Sequence, residues 1–332
     1  MSIVPTQHRS ETVDLLKVLL TVGIVFLHAT LIEQSGQNAA YDVFQHGIDL
    51  LGGLCVPLFF ALSGYLYFRN VPEKPDFRFF RKKTRNRFSS LLLPYLIANA
   101  FAFLCYWAAW HFAPGMMAGY FGDSWQDPLF VFWTGPVNLS LWFIRDLFIA
   151  ILLAPLYWLL IRFTRCWGVL ALAAVWLLRG TPVWCNFYFI LGGWAATGKV
   201  DVAGCCRRTL PVWLLLYLAC FIAAMHKDGF TKLSVLTGMP LCIGAAERLV
   251  GKLPRKIPRA WQAWCFFIYL YHYIPILALK KVLPLLLGPG GFWGLLGTYL
   301  LTALLTLGLL SGAYLGMRRL MPRTTGILTG GR

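Results

Sequence analysis

The 332-residue chain is 58% hydrophobic and only 13% charged, with a mean hydropathy of +0.65. Those values exclude an ordinary soluble domain and point to a polytopic helical membrane protein, because the apolar runs are of helix length and a bilayer leaves no other use for them. The net charge of +17 is dispersed among short loops between apolar stretches, which excludes a nucleic-acid-binding surface and makes the charge a matter of topology.

In chain order, ten apolar stretches read as candidate spans: 13–32, 47–68, 88–112, 139–161, 166–178, 182–198, 210–226, 231–250, 263–287 and 291–317. They predict an all-α integral membrane bundle of about ten transmembrane helices, one domain over residues 1–332. No separate soluble domain is expected, since the longest loops hold only about 20–25 residues. The fifth and sixth stretches are short and separated only by "RGTP", and so read as shallow or tilted helices. The leading "MSIVPTQHRSETVDLLK" is polar and no small-residue cleavage site follows it, which reads as a retained first helix rather than a signal peptide.

The first span, "DLLKVLLTVGIVFLHA", holds Lys17 and His28. Eleven residues are about three helical turns, so the two share one face roughly 16 Å apart, with Asp14 and Thr21 on the same stripe. An ionisable group near the bilayer centre costs about 2.5–3.5 kcal/mol on insertion scales, and such groups are retained for use. Histidine titrates near neutrality and can serve as a base or proton shuttle. The plainer alternatives are a histidine bonded to a neighbouring helix and a lysine that snorkels to the headgroups or pairs with Asp14.

The second span contains "VPLFFALSGYLYF", where Ser63 and Gly64 permit close helix approach. The loop "RNVPEKPDFRFFRKKTRNR" then runs a basic cluster into the third span. Arg81, Arg85 and Arg87 in it suit phosphate groups, although topology signals and contacts with anionic lipid use the same composition. In "FAPGMMAGYFGDSWQD", Tyr120 and Trp125 suit either sugar stacking or interfacial anchoring. "NLSLWFIRDLFIA" opens the fourth span with Arg145 and Asp146, whose adjacency puts them on different faces and sends each to a partner on another helix or to a hydrated cavity, with a structural ion pair as the plainer account. "FFIYLYHYIPI" places a second intramembrane histidine, His272, in the ninth. The nine cysteines lie mostly singly within spans and form no disulfide framework, metal motif or redox motif. Lys and Arg concentrate in alternate loops on the N-terminal side, which by the positive-inside rule makes that side and both termini cytoplasmic, in a cell (inner) membrane.

Taken together, these stretches resemble the family 3 membrane acyltransferases. Asp14, Lys17 and His28 match the family's opening Asp-x-x-Arg/Lys, ten residues, His, with lysine where arginine is commoner. "VPLFFALSGYLYF" looks like its second-span signature, and "RNRFSSLLLPYLI" like the basic junction and Pro-Tyr that begin its third span. "SLWFIRDLF" is similar to Leu-Trp-Phe-Leu-Arg-Asp, and "FFIYLYH" to a late Tyr-Leu-x-His. The matches run in order from residue 13 to about 275, and the tail after about 285 carries no signature.

The resemblance implies an enzyme that takes an acyl group, usually acetyl, from cytoplasmic acyl-CoA and passes it to a hydroxyl of an extracytoplasmic carbohydrate (a glycan or related acceptor). His28 is then the general base or a transient acyl carrier, and Lys17, beside Asp14, orients or neutralises the donor. Arg81, Arg85 and Arg87 hold CoA phosphates, Arg145 and Asp146 stand on the acceptor side, and His272 supports or relays a proton. Acyl-CoA is a substrate; no permanently bound cofactor and no metal are implied. A chain of this length holds no added extracytoplasmic domain, so the acyl group goes directly to its acceptor or to a separate partner protein. From another class, a proton-coupled secondary transporter could use the same intramembrane Lys, His, Arg and Asp, but the sequence has no inverted repeat. A scaffold subunit would leave those charges unexplained.

The orientation has a direct test. On a background without native thiols, Asn38→Cys should label with an impermeant reagent from outside and Thr84→Cys only from inside; labelling of Thr84→Cys from outside alone would reverse the topology and the donor side with it.

Overall fold

The computed structural model describes residues 6–32, 36–112, 130–179, 184–198, 200–253, 257–258, 260–287 and 291–331. Tyr120 and Trp125 lie outside them. The described chain is helical with short connections, and no strand occurs among the described residues.

Helix α1 spans Thr6–His28, α2 Ala39–Gly52 and α3 Cys55–Phe68. Helix α4, Phe77–Arg87, passes through a π-helical turn at Phe88–Leu92 into α5, Leu93–Phe112. Then come α6 Trp142–Leu152, α7 Ala154–Thr164, α8 Cys166–Arg179, α9 Trp184–Thr197, α10 Val202–Arg208, α11 Leu210–His226 and α12 Thr231–Val250. The C-terminal part holds α13 Ala260–Tyr271, α14 Tyr273–Leu287, α15 Phe292–Leu320 and α16 Pro322–Leu328.

Each of the ten expected stretches falls on a helix or a helix pair, but not each is one straight span. Among the described residues, four helices are long and apolar enough to cross a membrane: Ala39–Phe68, Phe77–Phe112, Asp228–Val250 and Phe292–Leu320. Three pairs bent by 61° (α6–α7), 78° (α10–α11) and 56° (α13–α14) raise the number to seven if each pair is one span. The remaining three stretches differ for physical reasons. Helix α1 carries Glu11, Asp14 and Lys17, while α8 and α9, at 14 residues, reach about 21 Å against a hydrocarbon core of about 30 Å.

The bends also have a cause. Pro155, Pro211 and Pro275 sit at the beginning of α7, α11 and α14. Each lacks an N–H, and each ring would collide with the carbonyl four residues earlier (Ile151, Arg207, Tyr271), so the preceding helix ends there and the next begins at an angle.

The tightest packing joins α3 to α9. A Cβ on Gly64 would stand 1.9 Å from the Phe189 carbonyl oxygen, and one on Gly192 1.9 Å from that of Ala61. The two backbones therefore touch, as the small residues at 63 and 64 lead one to expect. Helix α1 packs against α2, α3, α12, α13 and α15, burying Leu16, Leu20, Ile24 and Val25. Its buried Thr12 hydroxyl donates to the buried Glu247 carboxylate of α12. Outward faces stay apolar, with Leu215 and Ile222 of α11 and Leu304 and Leu309 of α15 exposed, a surface suited to lipid.

Gly64→Ala should lower the thermal midpoint in detergent, since forcing a methyl into a full interface costs about 1–3 kcal/mol. Gly294→Ala, where an added Cβ meets nothing within 4 Å, should leave it unchanged. Equal midpoints for the two variants would mean that α3 and α9 do not meet through their backbones.

Candidate active site

The polar stripe of α1 begins at Asp14, which is buried and doubly engaged. Its Oδ1 lies 3.7 Å from Lys17 Nζ and accepts a 3.0 Å hydrogen bond from Gln262 Nε2 of α13. Helical spacing of three residues brings acid and base together, and the facing helix supplies a further donor to the carboxylate.

Asp14, Lys17 and Gln262 line the middle of a cavity of about 470 Å³. One end is basic, formed by Arg69, Lys83 and Arg87. The other is aromatic and apolar, with Phe143 and Tyr269 in its wall near Thr21. Lys83 projects across the basic end, where its ammonium donates to the Tyr67 carbonyl and stands 4.5 Å from the centre of the Tyr67 ring and 4.9 Å from that of Phe79. Lys83 belongs to α4, outside the apolar span that opens at Phe88; burial, with Arg87 and Arg69 close by, lowers its pKa from the ordinary lysine range to about 8.

The three arginines expected to act together are divided. Arg87 lines this cavity, whereas Arg81 and Arg85 line a separate groove on the outside of α4. At about 100° per residue, positions 81 and 85 share one helix face, and 83 and 87 share the opposite one. Arg69 and Lys83 stand with Arg87 in the cavity lining.

His28 lies at the C-terminal end of α1, seven residues beyond Thr21, and does not line the cavity. Its ring centre is 5.2 Å from that of His272 and 5.7 Å from that of Tyr273, so the two intramembrane histidines predicted from separate spans form a pair. His272 occupies the break between α13 and α14 and is fully buried. Its Nδ1 is 2.8 Å from the Tyr269 carbonyl and 3.2 Å from that of Ile268. A carbonyl can only accept, so Nδ1 carries a proton, and in the neutral ring Nε2 has the lone pair. That Nε2 is buried without a hydrogen-bond partner among the described residues. The Tyr269 ring stands 5.9 Å from that of His272 and forms part of the cavity wall, so it links the cavity to the histidine pair.

A buried polar relay, which the sequence reading missed, braces this end. The Tyr269 hydroxyl donates to the Ser140 carbonyl, Ser140 Oγ to Asn138 Oδ1 (2.7 Å), and Asn138 Nδ2 to the Leu270 carbonyl (3.0 Å). The Asn138 backbone N–H donates to Asn99 Oδ1 at 3.2 Å. The sequence signal was present, since Asn99 is a polar side chain within an apolar span, where such groups face the bundle interior.

Arg145 and Asp146 pair with each other, and Arg145 also reaches a second helical segment, Phe130–Thr134. Arg145 Nε donates to Asp146 Oδ1 at 2.7 Å, and Nη1 to the carbonyls of Trp133 (3.0 Å) and Thr134 (2.7 Å). The long, five-donor guanidinium can hold its neighbour and a nearby chain turn at once, which overrides the divergence of adjacent helix positions.

A family sequence model described as an acyltransferase domain, of acyltransferase type 3, matches residues 11–317. The chain belongs to this family. It is an acyltransferase, built as an all-α, multi-pass membrane protein. It is similar to the succinoglycan biosynthesis protein ExoH of Rhizobium meliloti (strain 1021), being 28% identical over 359 residues that cover 97% of this chain and 92% of that protein. No solved structure matches it.

Proposed function

We propose that this acyltransferase moves an acyl group, acetyl in the simplest case, from acyl-CoA to a hydroxyl of a polysaccharide-type acceptor. The observation that carries the reading is the cavity leading from Arg69, Lys83 and Arg87 past Lys17 to Tyr269, beside the His28–His272 pair. Three cations at one mouth suit the phosphates of CoA, and a narrow, largely apolar interior suits its pantetheine arm. The basic mouth would face the cytoplasm by the positive-inside rule, and the histidine pair would face the acceptor side. The similarity to a succinoglycan biosynthesis protein supports a polysaccharide acceptor. A separate partner protein could deliver that acceptor.

In this reaction the acceptor oxygen attacks the thioester carbonyl while an imidazole takes its proton; the carbon–sulfur bond breaks and the thiolate leaves as CoA on regaining a proton. His28 is the proposed base or transient acyl carrier, and His272, whose Nε2 lone pair is bare, the group that receives or relays the proton. Lys17, held by Asp14, keeps a positive charge along the donor's path. Thr21 and His28 are about 10 Å apart along the helix, so the arm must pass the Phe143–Tyr269 end of the cavity for the thioester to reach the histidines.

With purified protein in detergent and radiolabelled acetyl-CoA, His28→Ala should reduce transfer by about a hundredfold or more at matched expression. Lys17→Arg should keep much of the activity and Lys17→Leu should lose it. Full turnover in well-folded His28→Ala would remove the centre of the mechanism. The donor mouth adds a pH test. Because Lys83 titrates at about 8, it is cationic at pH 7 and neutral above pH 9, so kcat/KM for acetyl-CoA should fall as pH rises through that range. Lys83→Arg should flatten the fall; a profile identical to wild type would take Lys83 out of donor binding.

A further inference from the structure

The arginines turned away from the donor cavity face a second site. Arg81, Thr84 and Arg85 of α4, with Ser89 in the π-turn, rim a groove of about 800 Å³ whose floor is Phe80, Phe148 and Leu152. The groove lies where the 61° bend between α6 and α7 opens a gap beside α4, and Pro155 at that bend contributes to its wall. Both arginines are exposed, no carboxylate lines the groove, and neither arginine is ion-paired among the described residues.

Depth identifies the ligand. Helices α4 and α5 form one apolar-ended rod of 36 residues, about 54 Å long, while the hydrocarbon core is about 30 Å thick. The α4 end must therefore run out through the headgroup layer. The apolar run opens at Phe88, which is exposed, so Arg85 and Arg81 follow about 4.5 Å and 10.5 Å further out along the axis. That is the zone of lipid phosphates, roughly 5–8 Å beyond the core on each side, within reach of two long guanidinium side chains. Below them the groove continues as an aromatic and aliphatic surface at acyl-chain depth.

We propose that this groove is a specific site for an anionic phospholipid, with Arg81 and Arg85 on the headgroup phosphate, Thr84 as an added hydroxyl donor, and Phe88, Phe148 and Leu152 against the upper acyl chain. The bound lipid fixes one face of α4 to the membrane while Lys83 and Arg87 on the opposite face line the donor cavity. The inference does not depend on the acyl-transfer reading.

Native mass spectrometry of the full-length protein in detergent, titrated with dioleoyl-phosphatidylglycerol or dioleoyl-phosphatidylcholine, tests it. Wild type should prefer the anionic lipid by about thirtyfold, as two arginines at the surface contribute about 1 kcal/mol each. Arg81→Gln/Arg85→Gln should abolish the preference, Arg81→Lys/Arg85→Lys should keep most of it, and Lys83→Gln/Arg87→Gln should leave it intact. Millimolar inorganic phosphate should not compete. Equal binding of the two lipids, an unaffected Arg81→Gln/Arg85→Gln variant, or displacement by phosphate alone would each overturn the lipid site.

Discussion

Lysine 17 is the constraint around which the rest is arranged. A cation placed eleven residues from the buried end of a helix must be neutralised or hydrated, and the chain does both, with Asp14 on its own helix and a cavity in front of it. Asp14 in turn needs a donor, which Gln262 provides, so α13 has to lie along α1. Once α13 is fixed there, its C-terminal end falls opposite the end of α1, and the break at His272 comes to rest beside His28. The Asp14–Lys17 ion pair and the histidine pair are thus two ends of one helix–helix contact.

The sequence carried much of this, unevenly. The segments themselves were legible because hydropathy alone locates them, and the stripe Asp14, Lys17, Thr21, His28 was legible because helical periodicity is rigid over a few turns. The meeting of His28 with His272 was not, since it depends on the angle between α13 and α14 and on which helices adjoin α1. The bends were readable in part: Pro155, Pro211 and Pro275 stand at the three breaks, and each was overlooked because an apolar run containing one proline still looks continuous by hydropathy. The pairing of Arg145 with Asp146 was one of the readings the sequence left open, and rules for helix faces could not select it because a guanidinium is long enough to reach across them.

The basic helix α4 shows how a cluster that looks uniform in composition becomes two sites in space. A count of Arg and Lys treats residues 81, 83, 85 and 87 as one patch, whereas a helix rotates successive odd positions by about 200°, alternating them between opposite faces. Of the inward pair, Lys83 lies against Tyr67 and Phe79 and Arg87 lines the same cavity, while the outward pair lies beside an apolar groove. The π-helical turn at Phe88–Leu92 connects this two-faced helix to the span without a bend of the kind seen at the prolines, and Leu91 within the turn reaches the cavity wall.

On the proposed reading, the passage that admits the donor arm must not become a pore. The residues at its far end are aromatic. Phe60 packs edge-on against Phe143 with ring centres 4.8 Å apart, and Phe143 against Tyr269 at 5.5 Å. Tyr269 is in turn tied to the Ser140 carbonyl, within the network that also holds Asn138 and Asn99. An ion meeting this wall would have to shed its water against ring edges that cannot replace it, whereas an apolar arm loses nothing by the exchange. His272, with its Nδ1 proton committed to backbone carbonyls, stands just behind the same wall and exposes to the interior only a lone pair. On the proposed reading, a base behind an aromatic barrier would discriminate by chemistry rather than by width.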